Sequence, residues 1–249
     1  ALTAVHLAAR DPEAVMAVLT ADHFIGDEAA FRDSVSAALT ASKSDYLVTL
    51  GITPDSPSTE YGYIEQGEQL LEVDGFKVLK AKRFVEKPDL NTAQAMLEVG
   101  NYCWNSGMFI WKISTILRAY EKLMPELYQQ VMMLGRTIGT NAYSDTLAQI
   151  WPHIKKQTID YGIMEKAERV AVLPVDIQWA DVGNWTSLKR LLPHDDHGNA
   201  IRGEALLLDC QNNLVFADKR LIVAIGLEDF VVVDTPDALL ICHKDRVQE

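Results

Sequence analysis

Between Ala205 and His243 five short apolar segments, ALLLD, NLVFA, LIVAIG, FVVVD and ALLICH, follow one another at intervals of about eight residues, separated by Asp, Asn or Gly. Strands this short cannot bury a face alone, so a chain with this texture stacks them as β-coils or closes them into a small all-β unit. The texture begins only after Pro193. A domain boundary is therefore expected near His194, dividing the chain into residues 1–193 and 194–249.

The first part alternates helix and strand. Leu2 to Arg10 has helical periodicity, Val15 to Leu19 reads as a short buried strand, Glu28 to Ala41 as a helix and Tyr46 to Leu50 as another buried strand. Such alternation implies βαβ units, an α/β class and a mostly parallel sheet with helices on its faces. VLKAKRFVEKP reads as a strand that must stop at Pro88, because proline cannot continue a ladder. NTAQAMLEVG forms a helix stopped by Gly100, and NYCWNSGMFIW returns to the sheet. Ser114 to Met124 and Tyr143 to Ile150 are amphipathic helices, and IDYGIMEKA opens a further helix with Asp160 near its start, where a carboxylate suits the helix dipole. In open α/β sheets ligands collect beyond the carboxyl ends of strands. The loop TPDSPSTEYGY and the run Ala21 to His23 are thereby expected on the ligand side.

Composition limits what that ligand can be. The chain has 249 residues, 48% of them hydrophobic, enough for a sizeable core, and a formal charge of −12 that argues against a nucleic-acid surface. Cys103, Cys210 and Cys242 lie far apart without metal-ligand spacing, which excludes a disulfide framework or a structural zinc site and suits a reduced, cytoplasmic setting. No apolar run is long enough to span a bilayer.

Four clusters carry chemistry: Asp22 with His23, the turn Glu86-Lys87-Pro88, the run Asn105-Ser106-Gly107, and Asp181, which stands between two tryptophans in WADVGNW. A carboxylate in so aromatic a stretch is costly to bury without a positive partner. Two aspartates at separate strand ends can hold one hard cation such as Mg²⁺, which takes a few carboxylates plus phosphate oxygens. Lys87 then serves as a point charge for a phosphate, Glu86 and Asn105 as hydrogen-bonding partners of hydroxyls, and Gly62, Gly107 and Gly183 let backbone approach the ligand. Each cluster also has a plain structural use. Asp22 can end a strand, EKP can be a solvated turn, Asn105 can fix a turn, Asp160 can cap its helix, and the tryptophans can be core. Together they describe a metal-assisted site for a phosphorylated polyol.

The ordered set LTADHFI, EYGYIE, FVEKP, WNSGMFIW, TIDYGIMEK and WADVGNW resembles the mannose-1-phosphate guanylyltransferases of the sugar nucleotidyltransferase superfamily, over essentially the whole chain. The resemblance implies a Rossmann-like core followed by a short left-handed β-helix. It also implies synthesis of GDP-mannose and pyrophosphate from GTP and mannose 1-phosphate, assisted by Mg²⁺. By motif, Asp22 and Asp181 match the metal-binding aspartates, Lys87 the lysine on the sugar phosphate, and Gly62, Glu86, Asn105 and Asp160 the substrate-binding positions. Family members of this short type commonly form homodimers. Two departures are visible: Thr20 stands where the family usually has proline, and the GGxGxRLxP-type signature that wraps nucleotide phosphates is absent. With no Met at the start, the core is expected to lack an N-terminal part, so no nucleotide-site residue is named. The competing expectations are another NDP-hexose pyrophosphorylase and a catalytically silent sugar-phosphate-binding subunit.

Overall fold

A computed structural model describes residues 1–183 and 185–247, without the side chains of residues 186, 187 and 190; residue 184 of the WADVGNW motif and the last two residues of the expected second domain fall outside it. In chain order the elements are α1 (Leu2–Ala8), β1 (Val15–Val18), β2 (His23–Ile25), α2 (Glu28–Ser42), β3 (Leu47–Ile52), β4 (Tyr63–Val73), β5 (Phe76–Val85), α3 (Leu90–Val99), β6 (Tyr102–Lys112), α4 (Ile113–Leu123), α5 (Pro125–Gly135) and α6 (Tyr143–Ile150). After a π-helical turn at Asp160–Met164 follow β7 (Val170–Val175), β8 (Trp179–Asp181), α7 (Trp185–Leu191), β9 (Ala200–Arg202), β10 (Ala205–Leu208), β11 (Leu214–Ala217), β12 (Ile222–Ile225), β13 (Phe230–Asp234) and β14 (Leu239–His243). The chain packs as two compact units: Ala1–Thr20 with Gly26–Ile177, and Ala21–Ile25 with Gln178–Glu249. By packing, α7 thus falls in the second unit, although it precedes the change of texture after Pro193.

The first unit is a mixed α/β core around a six-stranded sheet of order β1-β6-β3-β7-β5-β4. Its direction differs in part from the mostly parallel expectation. Among these strands only the neighbours β3 and β7 pair in parallel; β1–β6, β6–β3, β7–β5, β5–β4 and the additional β6–β4 contact are antiparallel. Following those directions across the sheet, β1, β3, β4 and β7 run one way and β5 and β6 run against them. The physical reason is the connections: β4 and β5 are joined by a tight turn at Asp74-Gly75, both with positive φ, and a hairpin can only be antiparallel.

The central strand β3 is buried at every position, as a sheet covered on both faces requires. The expected burial of Val15 to Leu19 holds only at Met16. As the edge strand β1 it leaves Val18 38% exposed, because it has a single neighbour. Helix α2 starts at Asp27, whose carboxylate accepts a hydrogen bond from the Ala30 N–H at 2.9 Å, a cap that contributes about 1 kcal/mol. It buries Ser34, Ala37, Ala38 and Ala41, small residues that allow close approach. Helix α3 is capped likewise by Asp89 on the Thr92 N–H and ends at Gly100 in the left-handed conformation. Ile113, Ile116, Phe109, Trp111 and Leu47 belong to one hydrophobic cluster, each side chain contributing about 1.5–3 kcal/mol on burial. The segment IDYGIMEKA is the one helical expectation that changes type. It forms a π turn of 5 residues rather than an α-helix, and its backbone closes with the Glu165 N–H on the Asp160 carbonyl at 3.0 Å.

In the second unit the short strands stack as β-helix coils. β9, β11 and β13 pair in parallel as one sheet and β10 with β12 as another, while β14 turns back antiparallel on β13. Each coil corner carries a left-handed residue, Gly198, Asn212 or Asp229, and the next residue in the first two corners is a buried asparagine, Asn199 or Asn213. Asn213 donates to Asn199 Oδ1 at 2.9 Å and to the Leu227 carbonyl at 2.8 Å, and accepts from the Phe230 N–H at 2.8 Å. Asn199 donates in turn to the Cys210 carbonyl at 2.9 Å. This ladder satisfies backbone groups at the turns, which would otherwise be buried without partners.

Candidate active site

In the first unit, Gly62, Glu86, Asn105 and Asp160 come together from four separate stretches. Opposite Thr49 and Gly51 of β3, strand β6 carries an irregular register between Phe109 and Asn105, and the extra length is taken up around Ser106 and Gly107, the latter at φ +68°. Ser106 Oγ donates to the Leu50 carbonyl at 2.6 Å and accepts from the Met108 N–H at 3.2 Å, fixing the bulge. The bulge re-aims Asn105. Its Oδ1 accepts from the Gly107 N–H at 3.2 Å, its Nδ2 donates to Asp160 Oδ1 at 2.8 Å, and its backbone N–H donates to the Gly62 carbonyl at 2.7 Å. The WNSG run is therefore a device for holding one amide in one orientation against a carboxylate.

Glycine at position 62 leaves room for the Glu86 carboxyl: a Cβ there would stand 2.5 Å from Glu86 Oε2 and push that carboxyl from its place. The shielded side of the Glu86 carboxyl raises its pKa above the usual carboxylate range, chiefly through lost solvation and then through Asp160, with Lys87 pulling the other way. The Tyr161 hydroxyl is also shifted upward, by partial desolvation first and then by Glu86, Glu165 and Asp160. The cluster is thus acceptor-rich and short of positive charge, which suits hydroxyl donors. Lys87 follows Glu86 with φ +42°, directly before Pro88. A non-glycine residue in that region costs about 1–3 kcal/mol and is held there by its surroundings.

Asp22 and Asp181 belong to the second unit. Strand β2 pairs antiparallel with β8 in its own two-stranded ladder, so Asp22 precedes a strand that is not part of the main sheet. In this ladder His23 stands directly opposite Asp181. Trp179 Nε1–H donates to His23 Nδ1 at 2.9 Å, with the rings edge to face at 5.0 Å. Accepting at Nδ1 leaves the ring proton on Nε2. Burial lowers the His23 pKa, and Asp181 and Asp22 oppose that shift, so both carboxylates act on the same imidazole. A Cβ on Gly183 would stand 3.2 Å from Asp181 Oδ1, so glycine keeps the space beside that carboxylate open. The two tryptophans of the motif differ in use: Trp179 fixes a tautomer, and Trp185 packs against Phe216 at 5.6 Å. Sequence reasoning missed the Trp179 role, because 156 residues separate the partners and nothing local marks the pair. It also missed Gly51, where a Cβ would lie 2.3 Å from Cys103 Sγ.

Among the described residues no three His, Cys, Asp or Glu side chains cluster as a metal cage. Mg²⁺ needs no such cage, since one or two carboxylates with substrate phosphates suffice. Two aspartates flanking one neutral histidine, with glycine space beside Asp181, fit that donor chemistry.

Comparison with known proteins agrees with the two-part fold. Residues 1–197 match the nucleotidyl transferase family model, and residues 203–249 match that of the MannoseP isomerase/GMP-like beta-helix domain. The xanthan biosynthesis protein XanB of Xanthomonas campestris pv. campestris (strain B100) is 41% identical over 240 residues, covering 94% of this chain and 49% of that protein. The mannose-1-phosphate guanylyltransferase of Escherichia coli (strain K12) is 35% identical over 252 residues, covering 100% of this chain and 53% of its own length. The chain thus spans about half the length of the curated relatives it matches. A crystal structure titled mannose-1-phosphate geranyltransferase, from Thermus thermophilus, superposes with a TM-score of 0.86 at 32% identity, over 100% of this chain and 71% of that one.

Proposed function

Because the chain belongs to the nucleotidyl transferase family, with a GMP-like β-helix domain at its end, we propose that it carries the catalytic machinery that makes GDP-mannose and pyrophosphate from GTP and mannose 1-phosphate. The observation that carries this reading is the Glu86–Asn105–Asp160 cluster with Lys87 beside it. Carboxylates accept from sugar hydroxyls, the oriented Asn105 amide adds both a donor and an acceptor, and Lys87 supplies the counter-charge for a phosphate on the same ligand. Relatives named for mannose 1-phosphate support the choice of sugar.

In this reading the sugar phosphate oxygen attacks the α-phosphorus in line, and pyrophosphate leaves. That oxygen is already ionised near neutral pH, so no side chain need act as base, and His23 with its proton on Nε2 is excused from that role. Asp22 and Asp181 would hold Mg²⁺, which when bound neutralises charge on the nucleophile and leaving group. Lys87 keeps the sugar phosphate in register, and Asn105 and Glu86 orient the ring to which it is attached.

The coil unit fits self-association. Leu206 and Leu208 on β10 lie opposite Val223 and Ile225 on β12, all outward, at 51%, 47%, 54% and 66% exposure. Side by side they form an apolar stripe that a second copy of the chain would cover, making a homodimer. The three free cysteines suit a cytoplasmic setting, and no helix among the described residues is long and apolar enough to cross a membrane.

The test is pyrophosphate release by the longest natural polypeptide that contains this chain, given mannose 1-phosphate and each of GTP, ATP and UTP. Release with GTP and mannose 1-phosphate at least tenfold faster than with glucose 1-phosphate is expected. No release with any pair overturns the enzymatic reading, and a preference for glucose 1-phosphate makes the protein a different NDP-hexose pyrophosphorylase. Light scattering tests the dimer: a monomer at micromolar concentration, or a dimer unaffected by Ile225→Glu, overturns the proposed face.

A further inference from the structure

We propose that the groove between α4 and the segment leading into β7 is a binding site for a small phosphorylated metabolite, distinct from the residues of the proposed reaction. The groove has a volume of about 460 Å³, the scale of a small-molecule pocket. It lies where β3 and β7 begin, at Leu47 and Val170, whereas Asn105 sits opposite Gly51 near the other end of β3.

The charges around it do not balance. Arg118, Lys122, Lys166 and Arg169 line the groove together with the carboxylates of Asp45 and Glu168. Asp45 is already taken by Lys112 at 3.1 Å and by Arg118 at 3.3 Å, and Glu168 by Lys122 at 2.7 Å. Among the described residues Arg169 meets only neutral groups: its Nη2 and Nε donate to the carbonyls of Ser44 and Asp45 at 2.8 and 3.3 Å, and its guanidinium lies 4.4 Å over the Tyr46 ring. The Lys166 side chain has no hydrogen bond or ion pair among the described residues. Two uncompensated cations therefore share one groove in a chain whose net charge is −12.

The arrangement selects a ligand class. The carbonyls and the ring hold the Arg169 plane while using only two of a guanidinium's five N–H donors, so a rigid fork remains for two oxygens of one phosphate. Lys166 adds a mobile point charge for the third oxygen. The floor is apolar, built from Leu47, Ala119, Leu123 and Ala167, which suits the carbon body of an ester better than a bare ion and strengthens the charge contacts by displacing water. A phosphate monoester with a compact ring or chain meets all three demands. A nucleic acid does not fit, since beyond the groove the chain is predominantly acidic.

Lys166 also lies two residues after the π turn that carries Asp160, and its N–H donates to the Ile163 carbonyl at 3.0 Å. A ligand held by Lys166 bears on the backbone that presents Asp160 to Asn105.

Isothermal titration calorimetry on the full polypeptide at low salt tests the site, with inorganic phosphate, glucose 6-phosphate and adenosine 5′-monophosphate as probes and glucose as the uncharged control. Saturable binding of at least one ester is expected, weakened about tenfold by Lys166→Glu, as for loss of one charge-assisted contact, and unchanged by Lys87→Ala. Lys166 is exposed and its side chain makes no contact that folding needs, and an unchanged melting temperature for Lys166→Glu confirms that the variant is folded; Arg118→Gln gives a second, milder probe of the same wall. No saturable binding overturns the proposal, as does an affinity in both groove variants unchanged from that of the unmodified protein. Binding lost in Lys87→Ala but kept in Lys166→Glu overturns it too, by assigning the probe to the substrate residues. Inorganic phosphate binding as tightly as either ester overturns the metabolite class. None of these outcomes depends on whether GDP-mannose is made.

Discussion

Two asparagines mark the difference between the two units of this chain. Asn213, in the coils, is 1% exposed and has both ends of its amide committed: it donates to Asn199 and to the Leu227 carbonyl and accepts from the Phe230 N–H. Asn105, at the bulge of the six-stranded sheet, is only half-buried; it spends one N–H on Asp160 and one contact of Oδ1 on Gly107. A saturated polar group can do nothing further, so Asn213 serves register and stability. One that is oriented but unsaturated retains capacity for a ligand. The contrast extends to backbone: left-handed residues recur at the coil corners as part of a repeat, while left-handed Lys87 belongs to no repeat and stands next to Glu86 of the carboxylate cluster.

The largest effect should come from a part of the second unit that lies outside the coils, the β2–β8 ladder. Asp181→Asn, in the β2–β8 ladder, removes a proposed metal ligand, worth several kcal/mol, and should cut kcat for pyrophosphate release roughly a thousandfold with little change in melting temperature. A variant that keeps its rate would remove Asp181 from the chemistry, and the same result for Asp22→Asn would leave the second unit purely architectural.

The coil asparagine should behave in the opposite way. Asn213→Ala strands the Phe230 N–H and the Leu227 carbonyl away from water, at a cost of about 2–4 kcal/mol. Urea denaturation should show that loss, while kcat and both KM values of the surviving folded fraction stay put. Asn105→Ala is its counterpart: a smaller stability loss and a raised KM for the sugar phosphate. Similar stability losses for both would erase the distinction between saturated and unsaturated amides.

How much of this was legible in the chain differs between the units for the same physical reason. Coils repeat, so their strands stood out from spacing alone; only β9, three residues long, escaped. The sheet's directions did not stand out, because helix–strand alternation reports on βαβ units and is blind to a strand pair such as β4–β5 inserted by a hairpin. Gly62, Glu86, Asn105 and Asp160 were each visible as a motif. Their convergence was not, since the contact of Asn105 with Asp160 spans 55 residues and depends on a bulge and a π turn, both departures from regular periodicity. Asp22 was expected at the end of a sheet strand. That β2 instead joins β8 in a separate ladder follows from pairing with a segment far along the chain, which no local pattern encodes.

Lys87→Ala sharpens the comparison inside the first unit. It removes one counter-charge from one phosphate, so KM for mannose 1-phosphate should rise about tenfold or more and KM for GTP by less than about twofold. Relief of the left-handed strain is not expected to offset this, because alanine at the same φ is no better placed than lysine. Equal increases for both substrates would mean that Lys87 does not discriminate between their phosphates.

The smallest effect concerns Glu86, and its sign is set by the environment rather than by any lost contact. Lost solvation and the nearby Asp160 raise its pKa above 4.5, and Lys87 partly opposes them. A carboxyl whose folded pKa is raised binds its proton more tightly in the native state than in the unfolded one. The stability from that proton is fully present below the unfolded pKa and is lost as pH rises through the folded pKa. Glu86→Gln removes this dependence. Its stability relative to the unmodified chain should therefore rise as pH climbs through the folded Glu86 pKa and level off above it, by a margin small enough that paired urea titrations at acidic and neutral pH are needed to read it. NMR titration gives the complementary test: the Glu86 midpoint should fall in Asp160→Asn and climb further in Lys87→Ala. A midpoint that ignores both substitutions would mean that the three side chains do not share an electrostatic environment, and the acceptor-rich cluster proposed to hold the sugar would lose its basis.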